Sequence, residues 1–361
     1  MQRKPIILIL TSRDEKANVS TVLADAIKKN GTHNVVVLSD DRYASKQKIS
    51  RLDKLVSLQE DYQQLLAEKS TKIAKASKQS VKSGRAFRIS NAVKRFRPEL
   101  ILAVTPYAYF AVCEAKRRAG FSNAIFYVMP YFVLDRQNYG EVDSTFIVEN
   151  QDVKSALVAQ GVPSKKVMTM GLPYAIERKT PLEVSALKQE LGLPKTMSVF
   201  LNASKKDGAE ELLRLLLDQG NVINTVVYAG DNKQGAEFRA IADEYNANNV
   251  VILQKDAQVD EYLTACDVVI TKYDIATIYK AFKVGKPVIT FAKGEHANRE
   301  IDYLVSHGLV MHARENLEIV GLMYRLIETG VAATYVRAGE KWVEGASIEN
   351  IANYLVSYIG I

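Results

Sequence analysis

The sequence predicts an α/β protein built on parallel sheets covered on both faces. Two observations predict it. Apolar runs of four or five residues recur along the chain, with amphipathic helical patterns filling the gaps. These alternations form two series of similar length, separated by a cluster of proline and glycine. A length of 361 residues suits two domains, and 47% hydrophobic with 25% charged residues is the balance of a chain that packs cores.

The first series opens with Ile6–Leu10 as a strand. A helix follows, its face set by Val19, Val22, Leu23, Ala26 and Ile27, and Gly31 ends it. Val35–Leu38 closes a βαβ unit. Leu100–Val104, Ala124–Val128 and Thr145–Val148 are further strands, with helices over about 107–119 and 151–160. Gly161-Val162-Pro163 stops the latter. Gly171-Leu172-Pro173, Pro181, Gly192 and Pro194 then mark the domain junction. The second series has strands at Ser198–Asn202, Thr225–Ala229, Val250–Leu253, Val268–Thr271 and Pro287–Phe291. Its helices start near Asp207, Lys233, Val259, Ile275 and Asn298, and a last helix spans Ile348–Ile359. The expected architecture is two Rossmann-like domains whose sheets face across a cleft, with ligands at the carboxyl ends of the strands.

Several classes are excluded. No apolar run approaches the roughly 20 residues of a membrane span, and the N-terminal stretch reads as a first strand, not a cleaved signal. Cys113 and Cys266 stand far apart, which excludes a disulfide framework and a cysteine zinc site and fits a reducing cytoplasm. No glycine follows the first strand, so an ordinary dinucleotide site is not expected, and no Walker sequence occurs. His33, His296, His307 and His312 show no metal pair at helical spacing; His307 and His312 are expected to flank a strand.

Charge is concentrated. Residues 42–97 hold 15 Lys and Arg against four acids, whereas the whole chain is only +7. Ile49, Leu52, Leu55, Val56, Leu58, Tyr62, Leu65 and Leu66 interleave these charges at amphipathic-helix spacing. Two readings stand: a solvated lysine-rich helix, or contact with an anionic membrane surface through residues such as Lys46, Lys48, Arg51 and Lys54. No aromatic–basic motif points to nucleic acid.

Ala265 to Phe291 reads strand, loop, helix, Gly285, strand. Asp267, Ile270, Thr271, Lys272, Thr277, Ala281, Gly285, Pro287 and Ile289 fit the pattern D-x-x-I-T-K-P-G-G-x-T-x-x-E-A-x-x-x-G-x-P-x-I. The stretch resembles the donor segment of GT-B glycosyltransferases, in the group of MurG, monogalactosyldiacylglycerol synthase and processive diacylglycerol glucosyltransferases. Arg97 to Leu102, Glu149-Asn150, Gly161 to Pro163, Gly171 to Pro173, Val226 to Lys233 and Gly294 to Asn298 resemble further family pieces, in order.

The resemblance implies transfer of a hexose from a nucleotide-diphosphate sugar, a UDP-sugar first among them, to a lipid-linked or glycan acceptor at the cytoplasmic membrane face, without a metal or other cofactor. It implies an acceptor domain at 1–170, onto which the helix 346–361 packs back, and a nucleotide-sugar domain at 171–345. Gly230, Asn232, Lys272, Thr277, Lys280, Glu295 and His296 become donor-side candidates, and Tyr107 and Tyr109 acceptor-side ones. Asp14 and Glu15 are the candidate base.

Five positions depart from the family. Residues 13–18 lack its glycines and histidine, its P-G-G is Tyr273-Asp274-Ile275, and its ribose-binding Glu is Lys280. Its second glycine loop is Asn202 to Gly208, and its T-D is replaced near Met129-Pro130. Two alternatives therefore accompany the transferase: a non-catalytic homologue that binds an active glycosyltransferase, and a nucleotide-sugar 2-epimerase.

Overall fold

A computed structural model describes residues 4–12, 19–39, 85–129, 139, 142–204, 208–254, 258–291, 299–328, 330–343 and 348–359. In chain order the first elements are β1 (Ile6–Leu10), α1 (Val19–Lys29), β2 (Asn34–Leu38), α2 (Arg85–Phe96), β3 (Leu100–Ala103) and α3 (Pro106–Ala119). β4 (Ala124–Val128), β5 (Thr145–Val148), α4 (Gln151–Ala159), β6 (Val167–Thr169), α5 (Pro181–Glu190) and β7 (Met197–Asn202) follow. Then come α6 (Ala209–Leu217), β8 (Ile223–Tyr228), α7 (Asn232–Glu244), β9 (Val250–Leu253), α8 (Val259–Ala265) and β10 (Val268–Thr271). α9 (Ile275–Lys283), β11 (Val288–Phe291), α10 (Arg299–Ser306), β12 (Met311–Ala313), α11 (Asn316–Glu328), α12 (Ala332–Trp342) and α13 (Ile348–Ile359) complete it. The chain divides into two compact units, Met1–Pro173 with Gly345–Ile361, and Tyr174–Glu344.

Unit 1 carries a six-stranded sheet in the order β2-β1-β3-β4-β5-β6, parallel throughout. The β1 sequence Ile-Ile-Leu-Ile-Leu is buried at every position. That is the signature of a strand covered on both faces, where alternation gives way to continuous apolarity. α3 shows how local chemistry sets an element's limits. Thr105 accepts from the Ala108 N–H, Pro106 takes the first helical position, and Gly120 ends the helix in the left-handed region at φ 65°. At the end of the unit, α13 packs on α1. Leu23, Ile27, Ile351 and Leu355 are fully buried, and the Phe126 ring meets Tyr354 and Tyr358 edge-on at 6.0 and 4.9 Å.

Unit 2 carries the second sheet, in the order β12-β11-β10-β7-β8-β9, also parallel. This is the Rossmann strand order, and its direction reverses between β7 and β10. Val199, Leu201, Ile270 and Ile289 form its core with Leu212, Leu213 and Phe238 from the covering helices.

Four findings differ from the sequence reading or add to it. A helix, α5, stands inside the proline–glycine stretch. Thr180 and Glu183 make a capping box and Pro181 is its first residue, so the proline starts a helix here. β6 and β12 are three-residue edge strands, and His312 lies within β12 where a flanking place was expected. His307 instead follows α10 and meets the Tyr303 and Trp342 rings at 4.0 and 5.5 Å. Tyr109 is a core residue and not the lining of an acceptor pocket. It is 1% exposed, stacks on Tyr127 at 4.6 Å, and donates its hydroxyl hydrogen to the Tyr139 carbonyl.

Candidate functional site

The site is built where the direction of the second sheet reverses. Thr271, the last residue of β10, is paired in register with Asn202, the last of β7. In a sheet of this strand order the switch point between two such strands is where a ligand crevice is expected.

Asn202 is the hub. Its Nδ2 donates to Asp274 Oδ2 at 3.0 Å and to Thr277 Oγ1 at 2.9 Å. Thr277 Oγ1 donates in turn to Asp274 Oδ2 at 2.6 Å. The Asn202 Oδ1 accepts from the Ser204 N–H at 3.2 Å and from its hydroxyl at 2.8 Å. The end of β7 is thereby tied to the first turn of α9. Ser204 also touches the loop after β8: a Cβ on Gly230, at φ +79°, would lie 2.9 Å from Ser204 Cβ. Only glycine fits there without displacement. Asp231 caps α7 by accepting from the Gln234 N–H at 2.8 Å, and buried Gln234 donates to the Ala203 carbonyl.

Behind this lies a second group. Glu300, 4% exposed on α10, accepts a hydrogen bond from Tyr273. The Tyr273 ring is half-buried but its hydroxyl is deep, and burial beside the Glu300 carboxylate pushes the phenol well above its ordinary range. Tyr174 packs edge-on against Tyr279 at 5.7 Å.

Of the donor-side candidates, Gly230 and Thr277 are brought together through Ser204 and Asn202. Asn232 is exposed as the first residue of α7. Half-buried Lys272 follows β10, its ammonium 5.9 Å from the centre of the Phe291 ring. Lys280 is engaged elsewhere. Its Nζ lies 2.7 and 2.8 Å from the two carboxylate oxygens of Asp260 on α8. Of the donor-side candidates it is the one whose charge is already compensated by a partner on another helix. Asp267, part of the matched pattern, is tied to Lys188 at 2.8 Å and to the Ser198 N–H at 2.9 Å, at the opposite end of the strands.

In unit 1, Thr105 and half-buried Tyr107 stand at the carboxyl end of β3, and Glu149, 7% exposed, at that of β5. Asp14, Glu15, Lys46, Lys48, Arg51, Lys54, Glu295 and His296 lie outside the described residues. Asn202, Tyr273 and Glu300 were not among the candidates, the first two entering only as departures from the family. The signal for Asn202 was its place at a strand's carboxyl end. Glu300 gave none beyond following the family piece at Gly294 to Asn298 in the sequence. Among the described residues there is no cluster of metal-ligating side chains and no helix long and apolar enough to cross a membrane.

Solved structures share this architecture along the whole chain. Anabaena Alr3699/HepE in complex with UDP matches with a TM-score of 0.60 at 16% identity, covering 98% of this chain and 99% of that one. The fold is GT-B. MurG of Acinetobacter baumannii, another GT-B neighbour, matches with a TM-score of 0.64 at 10% identity, over 98% of this chain and 100% of its own. The family model for monogalactosyldiacylglycerol (MGDG) synthase matches residues 16–174. A processive diacylglycerol beta-glucosyltransferase of Bacillus cytotoxicus is 23% identical over 239 residues, covering 64% of this chain and 60% of that protein. The chain thus aligns with less than two thirds of that relative's length. Together these place the likeness of this GT-B chain in the group of MurG, MGDG synthase and the diacylglycerol glucosyltransferases.

Proposed function

We propose that this GT-B protein is a glycosyltransferase moving a hexose from a UDP-sugar to a lipid-linked or glycan acceptor at the cytoplasmic face of a membrane. The observation that carries the reading is the hydrogen-bonded group of Asn202, Asp274 and Thr277 at the carboxyl ends of β7 and β10, the switch point of a sheet of Rossmann order. A UDP complex among the structural neighbours and diacylglycerol glucosyltransferases among the relatives support it.

Unit 2 holds the donor in this reading. Gly230 and Asn232 lie on the nucleotide side, and Lys272 and the first-turn N–H groups of α9 face the phosphates. Glu295 and His296 contact the sugar. Unit 1 holds the acceptor, and its basic stretch over 42–97 meets anionic lipid. The acceptor hydroxyl oxygen attacks the anomeric carbon, the carbon–oxygen bond to phosphate breaks, and the nucleoside diphosphate leaves with its electron pair. Asp14 or Glu15 takes the hydroxyl proton.

The test has two stages. Calorimetry with UDP, GDP, CDP and dTDP is expected to show micromolar binding of UDP. Labelled UDP-glucose or UDP-galactose is then incubated with diacylglycerol in anionic vesicles, and labelled lipid is expected. No binding across the panel by folded protein would overturn the reading and leave the non-catalytic partner in its place.

A further inference from the structure

We infer that Asp274 is a specificity-determining residue, setting how much negative charge the crevice accepts from its donor. The inference rests on the donor reading above and deepens it.

The first-turn N–H groups of α9 have no partner within the helix, and they carry its positive dipole end. Asp274 stands at the N-cap but makes no capping bond to them. Its carboxylate is instead pinned by two donors, Thr277 Oγ1 at 2.6 Å and Asn202 Nδ2 at 3.0 Å. Asn202 is itself fixed by Ser204, so this is a held position and not a loose side chain. The Asp274 carboxylate is thereby held at the first turn of α9, on the side where a phosphate would approach.

The charges nearby do not cancel it. Lys280, on the same helix, is neutralised by Asp260. Glu300 is a further carboxylate, buried next to the neighbouring Tyr273. Lys272 is the remaining described cation on this loop, its ammonium 5.9 Å from the centre of the Phe291 ring, and its single charge stands against the two carboxylates of Asp274 and Glu300. Each phosphate charge added to a ligand meets repulsion here, whereas the base and ribose do not. The crevice therefore holds its donor chiefly by the nucleoside and gains little from the second phosphate.

Calorimetry of uridine, UMP and UDP on the wild-type protein, Asp274→Asn and Asp274→Gly tests this. The Asn variant keeps the size of the side chain and an acceptor for Thr277. UDP is expected to tighten about tenfold in both variants, the effect of removing one charge at close range. Uridine should change less than about twofold, and UMP should fall between, because the repulsion scales with ligand charge. The gain should shrink in 1 M salt, where the Debye length is about 3 Å; a packing role alone would not produce that. Thermal melts confirm that the variants fold. A UDP gain below about threefold, or an equal gain for uridine, would overturn the inference while leaving the donor reading intact. Silence of all three proteins toward all three ligands would instead overturn the donor reading, and the inference with it.

Discussion

Asp267 matches the family's donor pattern, yet the structure makes it a strut at the other end of the sheet. Both its carboxylate oxygens receive Lys188 Nζ at 2.8 Å, and one also receives the Ser198 N–H at 2.9 Å. Three segments converge on one carboxylate: α5, the start of β7 and the start of β10. Asp267→Ala strands the Lys188 ammonium, whose side chain is 16% exposed, and leaves a backbone N–H without its acceptor. Charge-assisted bonds of this kind contribute about 1.5–3 kcal/mol in shielded sites. The Asp267 side chain is 42% exposed, so solvent screening brings the expected loss to about 1–2 kcal/mol. At roughly 2–4 °C per kcal/mol for a unit of this size, the melting point falls by several degrees. The assay is intrinsic fluorescence during urea unfolding. Trp342 is the sole tryptophan and lies in unit 2, so the signal follows the affected unit alone. Lys188→Ala should cost less, and the double variant should show a coupling of about 0.5–1 kcal/mol. An Asp267→Ala protein as stable as the wild type, or one that loses UDP affinity without losing stability, would refute the reasoning.

Four further outcomes are expected. Lys280→Ala should lower stability by less than about 1 kcal/mol and leave UDP affinity unchanged, measured by unfolding and calorimetry together. Gly230→Ala should destabilise unit 2 by about 1–3 kcal/mol through its left-handed backbone and the contact with Ser204, read by the same fluorescence. Cys113, whose thiol burial pushes up to about 11, and fully buried Cys266 should resist thiol reagents at pH 8 until each unit opens. His33 is buried, which lowers its imidazole below the ordinary 6.5. The neutral ring is thus favoured in the fold, so its contribution to stability is complete above pH 6.5 and declines as the pH falls below that value. Unit 1 should be less stable at pH 5 than at pH 7 in denaturant titrations followed through Cys113, and His33→Phe should reduce the difference.

Much of the fold was legible because doubly covered strands leave a plain mark. Ile6–Leu10 is an unbroken apolar run, Val268–Thr271 is apolar up to its closing threonine, and the structure makes both interior strands of their sheets. Edge strands leave less of one. Val167–Thr169 buries one residue of its three, too little to distinguish it from a loop. α5 was hidden by Pro181, a breaker anywhere except at the first helical position. The site was legible as a place, less so as contacts. Thr277 was marked by its position in a pattern, but nothing in a linear reading joins Asn202 to a side chain 75 positions onward. Lys280 hid its pairing for the same reason. Its partner Asp260 lies 20 positions earlier on another helix, and charge pairing across helices is invisible until the helices are placed.

The return of α13 to α1 bears on how the molecule is made. Asn30 Nδ2 donates to Asn353 Oδ1 at 3.0 Å across 323 positions, and α13 packs on α1 and against Phe126 of β4. During synthesis the whole of Tyr174–Glu344 emerges before that cover does. Unit 2 is continuous and can close as soon as its own residues are free of the ribosome. Unit 1 began first and must wait, with the side of α1 that meets α13 uncovered, until α13 is translated. Its window of exposure to chaperones and to aggregation is set by the length of the unit inserted into it.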